Sequence, residues 1–158
     1  MNNHELLKMA EALLDSNVPA ITKLANISAL FYHNLIDLNW FGFYLNTGDK
    51  LILGPFQGKV ACEIIPFDKG ICGRSYRLKE ALLINDVHKE KDHIACDSAS
   101  NSELVIPIIK DNEVLALIDI DSPKYNRFSK NDLELMIRVA DLLVRKVNFR
   151  QLINPLND

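Results

Sequence analysis

Three cysteines, Cys62, Cys72 and Cys96, fall in glycine-containing or polar stretches between Gly58 and Ser102 rather than inside an apolar period. A thiol is nucleophilic only as its thiolate, which needs a nearby positive group or hydrogen-bond donors. Cys96 lies three residues after His93 and just before Asp97, in the polar run NDVHKEKDHIACDSASNS. His93, His88 or backbone N–H groups could activate it there, so of the three it is the candidate nucleophile. Cys62 follows Gln57-Gly58-Lys59 at the entry to a strand, and Cys72 lies in Gly70-Ile71-Cys72-Gly73, where two glycines allow a tight backbone and close approach of a ligand. Free cysteine is also among the most buried residue types, so each taken singly fits a small core residue. A zinc site drawn from His88, His93, Cys96 and another cysteine lacks any closely spaced cysteine pair, and no metal is expected.

Two further constellations lie on strands. In Trp40-Phe41-Gly42-Phe43-Tyr44 a period of two sends Trp40 and Tyr44 to one face, with a gap at Gly42, and Phe41 and Phe43 to the other. Two amphipathic rings flanking a gap could hold a methyl-bearing or cationic group; a strand buried on both sides is the plain alternative. In Val114 to Asp121 the same period places Asp119 and Asp121 on one face beyond Leu115 and Leu117, and Glu103, opening the preceding strand, could join them. Like charges at the end of an apolar face repel unless a cation or a proton is shared. Three carboxyl groups around one pocket would bind an ammonium group, and their repulsion would keep at least one protonated as an acid.

These residues must be held by elements that the hydrophobic periods outline. Leu6, Leu7, Ala10, Leu13 and Leu14 mark one apolar helix face; a second helix begins near Pro19, carries Ile21, Leu24, Ala25, Leu30 and Phe31 inward, and ends before Asp37. Short β-type runs follow at Trp40 to Leu45 and Leu51 to Phe56 around the turn Thr47-Gly48-Asp49-Lys50, then at Glu63 to Pro66, Ala81 to Ile84, Glu103 to Lys110 and Glu113 to Asp121, the last two joined by Asp111-Asn112. The polar segment between Ile84 and Glu103 is too long for an ordinary connection and reads as a functional loop. Ser129 caps a final helix whose apolar positions are Leu133, Met136, Ile137, Ala140, Leu143, Val144 and Val147; residues 149–158 read as a loose tail. The fold expected is α+β, a central, mainly antiparallel sheet with N- and C-terminal helices packed on it, in a single domain over 1–158.

Composition narrows the function. The chain has 158 residues, 48% hydrophobic and 25% charged, with 18 basic against 21 acidic side chains and a net charge of −3. A domain of that size can bury about 70% of its unfolded surface, so it needs no disulfide or metal to hold together. An odd cysteine count argues against a secreted disulfide scaffold and for a reducing, cytoplasmic setting. The N-terminal sequence lacks signal-peptide features, no apolar run reaches the ~18 residues of a membrane span, and no basic patch offers the charge that nucleic-acid affinity demands.

The strings Asn39-Trp40-Phe41-Gly42-Phe43-Tyr44, Leu53-Gly54-Pro55-Phe56-Gln57-Gly58, Gly70-Ile71-Cys72-Gly73, Asp86-Val87-His88, His93 to Ser100 and Leu117 to Ser122 resemble the free methionine-(R)-sulfoxide reductases, which are single GAF domains. The resemblance runs from about Asn39 to the final helix. It implies that Cys96 is the nucleophile attacking the sulfoxide sulfur, that Cys62 resolves the sulfenic acid as a disulfide, and that Cys72 is a third pocket cysteine whose share in recycling is open. It also implies that Trp40 and Tyr44 are pocket aromatics, and that Glu103, Asp119 and Asp121 hold and protonate the substrate, with Glu103 the candidate acid. No bound cofactor is implied; the reductant would be thioredoxin, with NADPH and thioredoxin reductase behind it, and the assembly a homodimer. The rival reading from the residues alone is a non-catalytic GAF module that senses a small molecule or redox state.

Overall fold

The computed structural model describes residues 1–91, 93–94 and 96–153. Helices α1 (Asn3–Leu14) and α2 (Ala20–Asn34) lead into the strands β1 (Trp40–Asn46), β2 (Leu51–Gly58) and β3 (Ile64–Ile65). Helix α3 (Gly70–Leu78), β4 (Leu82–Ile84), a single 3₁₀ turn at Val87–Lys89, β5 (Ser102–Lys110) and β6 (Glu113–Ser122) follow, then α4 (Lys130–Lys146) and α5 (Arg150–Ile153). The six strands form one antiparallel sheet in the order β3-β2-β1-β6-β5-β4.

Local chemistry sets the boundaries. Asn2 and Glu5 form a capping box at α1, and Ser129 and Asp132 form another at α4, each satisfying N–H groups that a helix start leaves open. Asp111 and Asn112 both take positive φ, as a two-residue hairpin turn between β5 and β6 requires.

One face of the sheet, with Phe41, Phe43, Leu104, Ile106, Ile118 and Ile120, packs against α1, α2 and α4 in the main core. The other face, with Trp40, Tyr44, Val105 and Leu117, packs under α3 and the loops that flank it. Each fully buried large apolar side chain contributes roughly 1.5–3 kcal/mol relative to exposure. The α+β architecture with terminal helices on an antiparallel sheet is as expected.

Details differ. In α2 the buried stripe runs through Ala20, Leu24, Ile27 and Phe31, leaving Ile21 and Ala25 exposed. In α4 Ile137 faces out while Leu135, Val139 and Leu142 turn in. The tail expected from residue 149 is partly anchored, because Phe149 is buried in the main core and 150–153 are helical; residues 154–158 lie outside the described residues. No described helix is long and apolar enough to cross a membrane.

Candidate active site

Strand register brings the chemistry-bearing side chains together. Across β1, β6 and β5, Trp40 stands opposite Asp121 and Asp121 opposite Glu103, while Asp119 lies between Gly42 and Val105. Because alternate residues share a face, Trp40, Tyr44, Glu103, Asp119 and Asp121 all point away from the main core. There they wall a cleft of about 530 Å³, counting its mouth, together with Ile71 and Cys72 from the first turn of α3. Val60, Ala61, His93, Ile94 and Cys96 belong to the same lining.

Cys62 and Cys96 are joined by a disulfide across a Cα separation of 5.5 Å, within the range the bond allows. The bond joins the stretch after β2 to the loop before β5, and residues of both line the cleft. Cys72 is a free, buried thiol. The zinc set of His88, His93, Cys96 and a second cysteine is not assembled, since Cys96 is spent in the disulfide and His88 Nε2 bonds Asn101 Oδ1 at 2.7 Å.

Burial dominates the acids' protonation. Glu103 is held well above the ordinary carboxyl range by desolvation, then by the charges of Asp119 and Asp121. Asp121 is raised by desolvation, then by Asp119 and Asp97. Asp119 is raised by desolvation too, against hydrogen bonds from Glu103, the Cys72 thiol and the Ile120 N–H that favour its anion. Its Oδ1 is nevertheless buried without a partner among the described residues. The cluster therefore shares protons rather than standing as three carboxylates. Burial also raises the Cys72 thiol and, with help from His88, lowers His93, which disfavours the His93 cation beside a thiolate.

The aromatics do more than line the cleft. Tyr44 Oη donates to the Cys62 carbonyl at 2.9 Å and Trp40 Nε1 to the Lys59 carbonyl at 3.2 Å, so both rings pin the segment that carries Cys62. The gap expected at Gly42 is filled from within: a Cβ there would lie 2.4 Å from Phe56 Cβ and 2.6 Å from the Trp40 ring, which stacks on Phe56 at 5.2 Å. The glycine admits the tryptophan, not a ligand. Gly73 likewise serves the chain itself, since a Cβ would meet the Phe67 carbonyl at 2.8 Å in the turn that packs α3.

Residue type alone does not mark Asn39, Asp97 and Ser100, yet they fasten the loop of Cys96. Asn39 Nδ2 donates to Asp97 Oδ2 and to Ser100 Oγ, each at 3.0 Å, and Asp97 Oδ1 accepts the Ala99 N–H at 2.9 Å. The Ala99 N–H, with the Asn39 amide, holds Asp97 below the usual carboxylate range. The Asx-turn pattern Asp97-Ser98-Ala99 was the one sequence signal of this clasp.

An antiparallel sheet with the terminal helices on one face and a cleft under α3 and loops on the other is the arrangement of a GAF domain, and the GAF domain family model matches residues 26–145. The free methionine-R-sulfoxide reductase of Escherichia coli (strain K12) is 47% identical over 121 residues, covering 77% of this chain and 73% of that one. The reductase of the same name from Saccharomyces cerevisiae is 42% identical over 154 residues, covering 92% and 86%. The fRMsr of Staphylococcus aureus, solved in complex with its substrate, superposes with a TM-score of 0.87 at 41% identity, covering 93% of this chain and 96% of that one. The chain belongs to the GAF domain family and, within it, to the free methionine-R-sulfoxide reductases.

Proposed function

We propose that residues 1–158 act as one catalytic GAF domain that reduces the R epimer of free methionine sulfoxide to methionine. The observation that carries this reading is the Cys62–Cys96 disulfide, set beside a cleft whose floor is three proton-sharing carboxyl groups. A sulfoxide oxygen leaves only once protonated, so an acid must face the thiolate's target. Glu103, kept protonated by burial and its neighbours, is that acid.

The Cys96 thiolate attacks the sulfoxide sulfur while the oxygen takes the acid's proton. Methionine departs as the oxygen passes to Cys96 as its sulfenic acid. The Cys62 thiolate then attacks Cys96 Sγ, the hydroxyl leaves as water with a proton, and the disulfide results. Thioredoxin, itself reduced by NADPH through thioredoxin reductase, restores the two thiols by exchange. Neither step calls for a bound cofactor or metal. Trp40 and Tyr44 form the wall against the substrate's methyl group, and Asp119 and Asp121 hold its ammonium. A peptide-linked residue lacks that charge, which confines the site to the free amino acid. A reducing cytoplasmic setting and a homodimer complete the reading.

Replacing Cys62 separates the two half-reactions. In Cys62→Ser the first turnover yields one equivalent of methionine per chain, while steady-state cycling with thioredoxin falls sharply; methionine counted after rapid mixing, against NADPH consumption, measures both. Unimpaired cycling would transfer the resolving role to Cys72.

A further inference from the structure

Cys72 is the thiol that the disulfide leaves over. It is only 3% exposed, yet its Sγ and one carboxylate oxygen each from Glu103 and Asp119 lie within 4.8 Å of one another. Three elements, α3, β5 and β6, thus aim three donors at one point in the cleft. Glu103 and Asp119 are 6% and 7% exposed, and Asp119 Oδ1 has no hydrogen-bond partner among the described residues. A buried carboxylate oxygen without a hydrogen-bond partner, beside a thiol, calls for a ligand such as a cation.

We infer that Cys72, Glu103 and Asp119 form a binding site for a thiophilic divalent cation of the Zn²⁺ class, whose occupancy blocks the acid end of the cleft. A sulfur donor selects such an ion over Mg²⁺ or Ca²⁺, which take oxygen ligands. Bonds of about 2.3 Å to sulfur and about 2.0–2.2 Å to oxygen put tetrahedral donors about 3.3–3.7 Å apart. The cluster closes to that spacing by about 1.5 Å or less, a movement the several side-chain torsions of Glu103 can supply. A fourth position stays open to water through the cleft mouth. Binding sends the Cys72 proton and the protons shared by the two carboxyls to solvent, with no change of oxidation state. The site and the proposed substrate subsite overlap, so the ion and the substrate exclude each other.

The disulfide form allows an unambiguous test, because Cys72 is then the only thiol in the chain. The oxidised full-length protein is titrated with Co²⁺ and followed by absorption, then back-titrated with Zn²⁺. We expect one equivalent of Co²⁺ to give a near-ultraviolet sulfur-to-cobalt charge-transfer band that Zn²⁺ bleaches. In Cys72→Ser the band should vanish, and in Asp119→Asn it should persist with affinity lowered by about tenfold or more. Absence of the band at millimolar Co²⁺, or its survival in Cys72→Ser, overturns the site. Should Cys72→Ser fail to fold, an unchanged affinity in Asp119→Asn overturns it equally. No turnover enters the measurement, so its failure leaves the catalytic reading standing, and the reverse holds too.

Discussion

At the scale of single residues, Glu103 as the proposed acid faces two demands: it must give up a proton at neutral pH, and it must not lose it beforehand. Burial and the adjoining Asp119 and Asp121 meet both by pushing its proton affinity upward, so the acid form persists at pH values where an exposed carboxyl is ionised. In the proposed mechanism the protonated form is the active one, and kcat/KM should therefore decline as pH rises through the elevated value. Glu103→Gln keeps the shape and loses the proton, so kcat should drop by about 10²–10⁴-fold and the alkaline decline assigned to Glu103 should disappear. A pH–rate profile of both proteins measures this; a variant within a few-fold of the parent at all pH values would pass the role to Asp119 or Asp121. The carboxyl cluster was legible in the sequence because a period of two puts Asp119 and Asp121 on one face. Nothing local said that Gly42 would be filled by the ring of Trp40, since that depends on how β2 carries Phe56 across the sheet.

At the scale of elements, the strands and the terminal helices followed from periodicity, whereas α3 did not. Its sequence GICGRSYRL opens on glycine, holds a second glycine and shows no repeating apolar stripe, so only packing over Val105 and Leu117 makes it a helix. That packing is what delivers Cys72 to the acids. The loop of Cys96 presents the opposite case, recognisable as functional by length and polarity while its fastening stayed hidden. Asn39 binds two of its side chains from the start of β1, and its own N–H bonds the Asp121 carbonyl at 3.0 Å, coupling the loop to the acid-bearing strand. Asn39→Ala should release residues 97–100, costing about 1–3 kcal/mol locally. Faster amide exchange confined to that loop, with slower disulfide formation after a single turnover, is the expected signature; unchanged exchange would mean that Asn39 does not hold it.

At the scale of the whole molecule, the acid cluster works against the fold that contains it. Asp121 has an ordinary carboxyl pKa when unfolded and a raised one when folded. Between those two values the native state binds more protons than the unfolded one, so this group's contribution to stability falls as pH rises through the window and stays lost above it. Asp121→Asn should thus be more stable than the parent at neutral and alkaline pH, with the difference shrinking toward about pH 4, where both states of the parent are becoming protonated. Urea denaturation of the two proteins across that range reads the difference directly; a variant less stable at neutral pH would show that the aspartate is paired as an anion. Average charge could not reveal this cluster, because a net −3 over 158 residues hides Glu103, Asp119 and Asp121 beside one another in one cleft. Nor could the sequence alone order the strands as β3-β2-β1-β6-β5-β4, an arrangement that rests on long-range pairing of β1 with β6. The central claim, that Cys96 begins an R-specific reduction of the free amino acid, is tested most directly by following NADPH consumption with thioredoxin, thioredoxin reductase and each epimer of free methionine sulfoxide. The R epimer should be consumed with one NADPH per sulfoxide, the S epimer should not, and Cys96→Ser should be inert with both; no turnover of the R epimer, or full activity in Cys96→Ser, would contradict it.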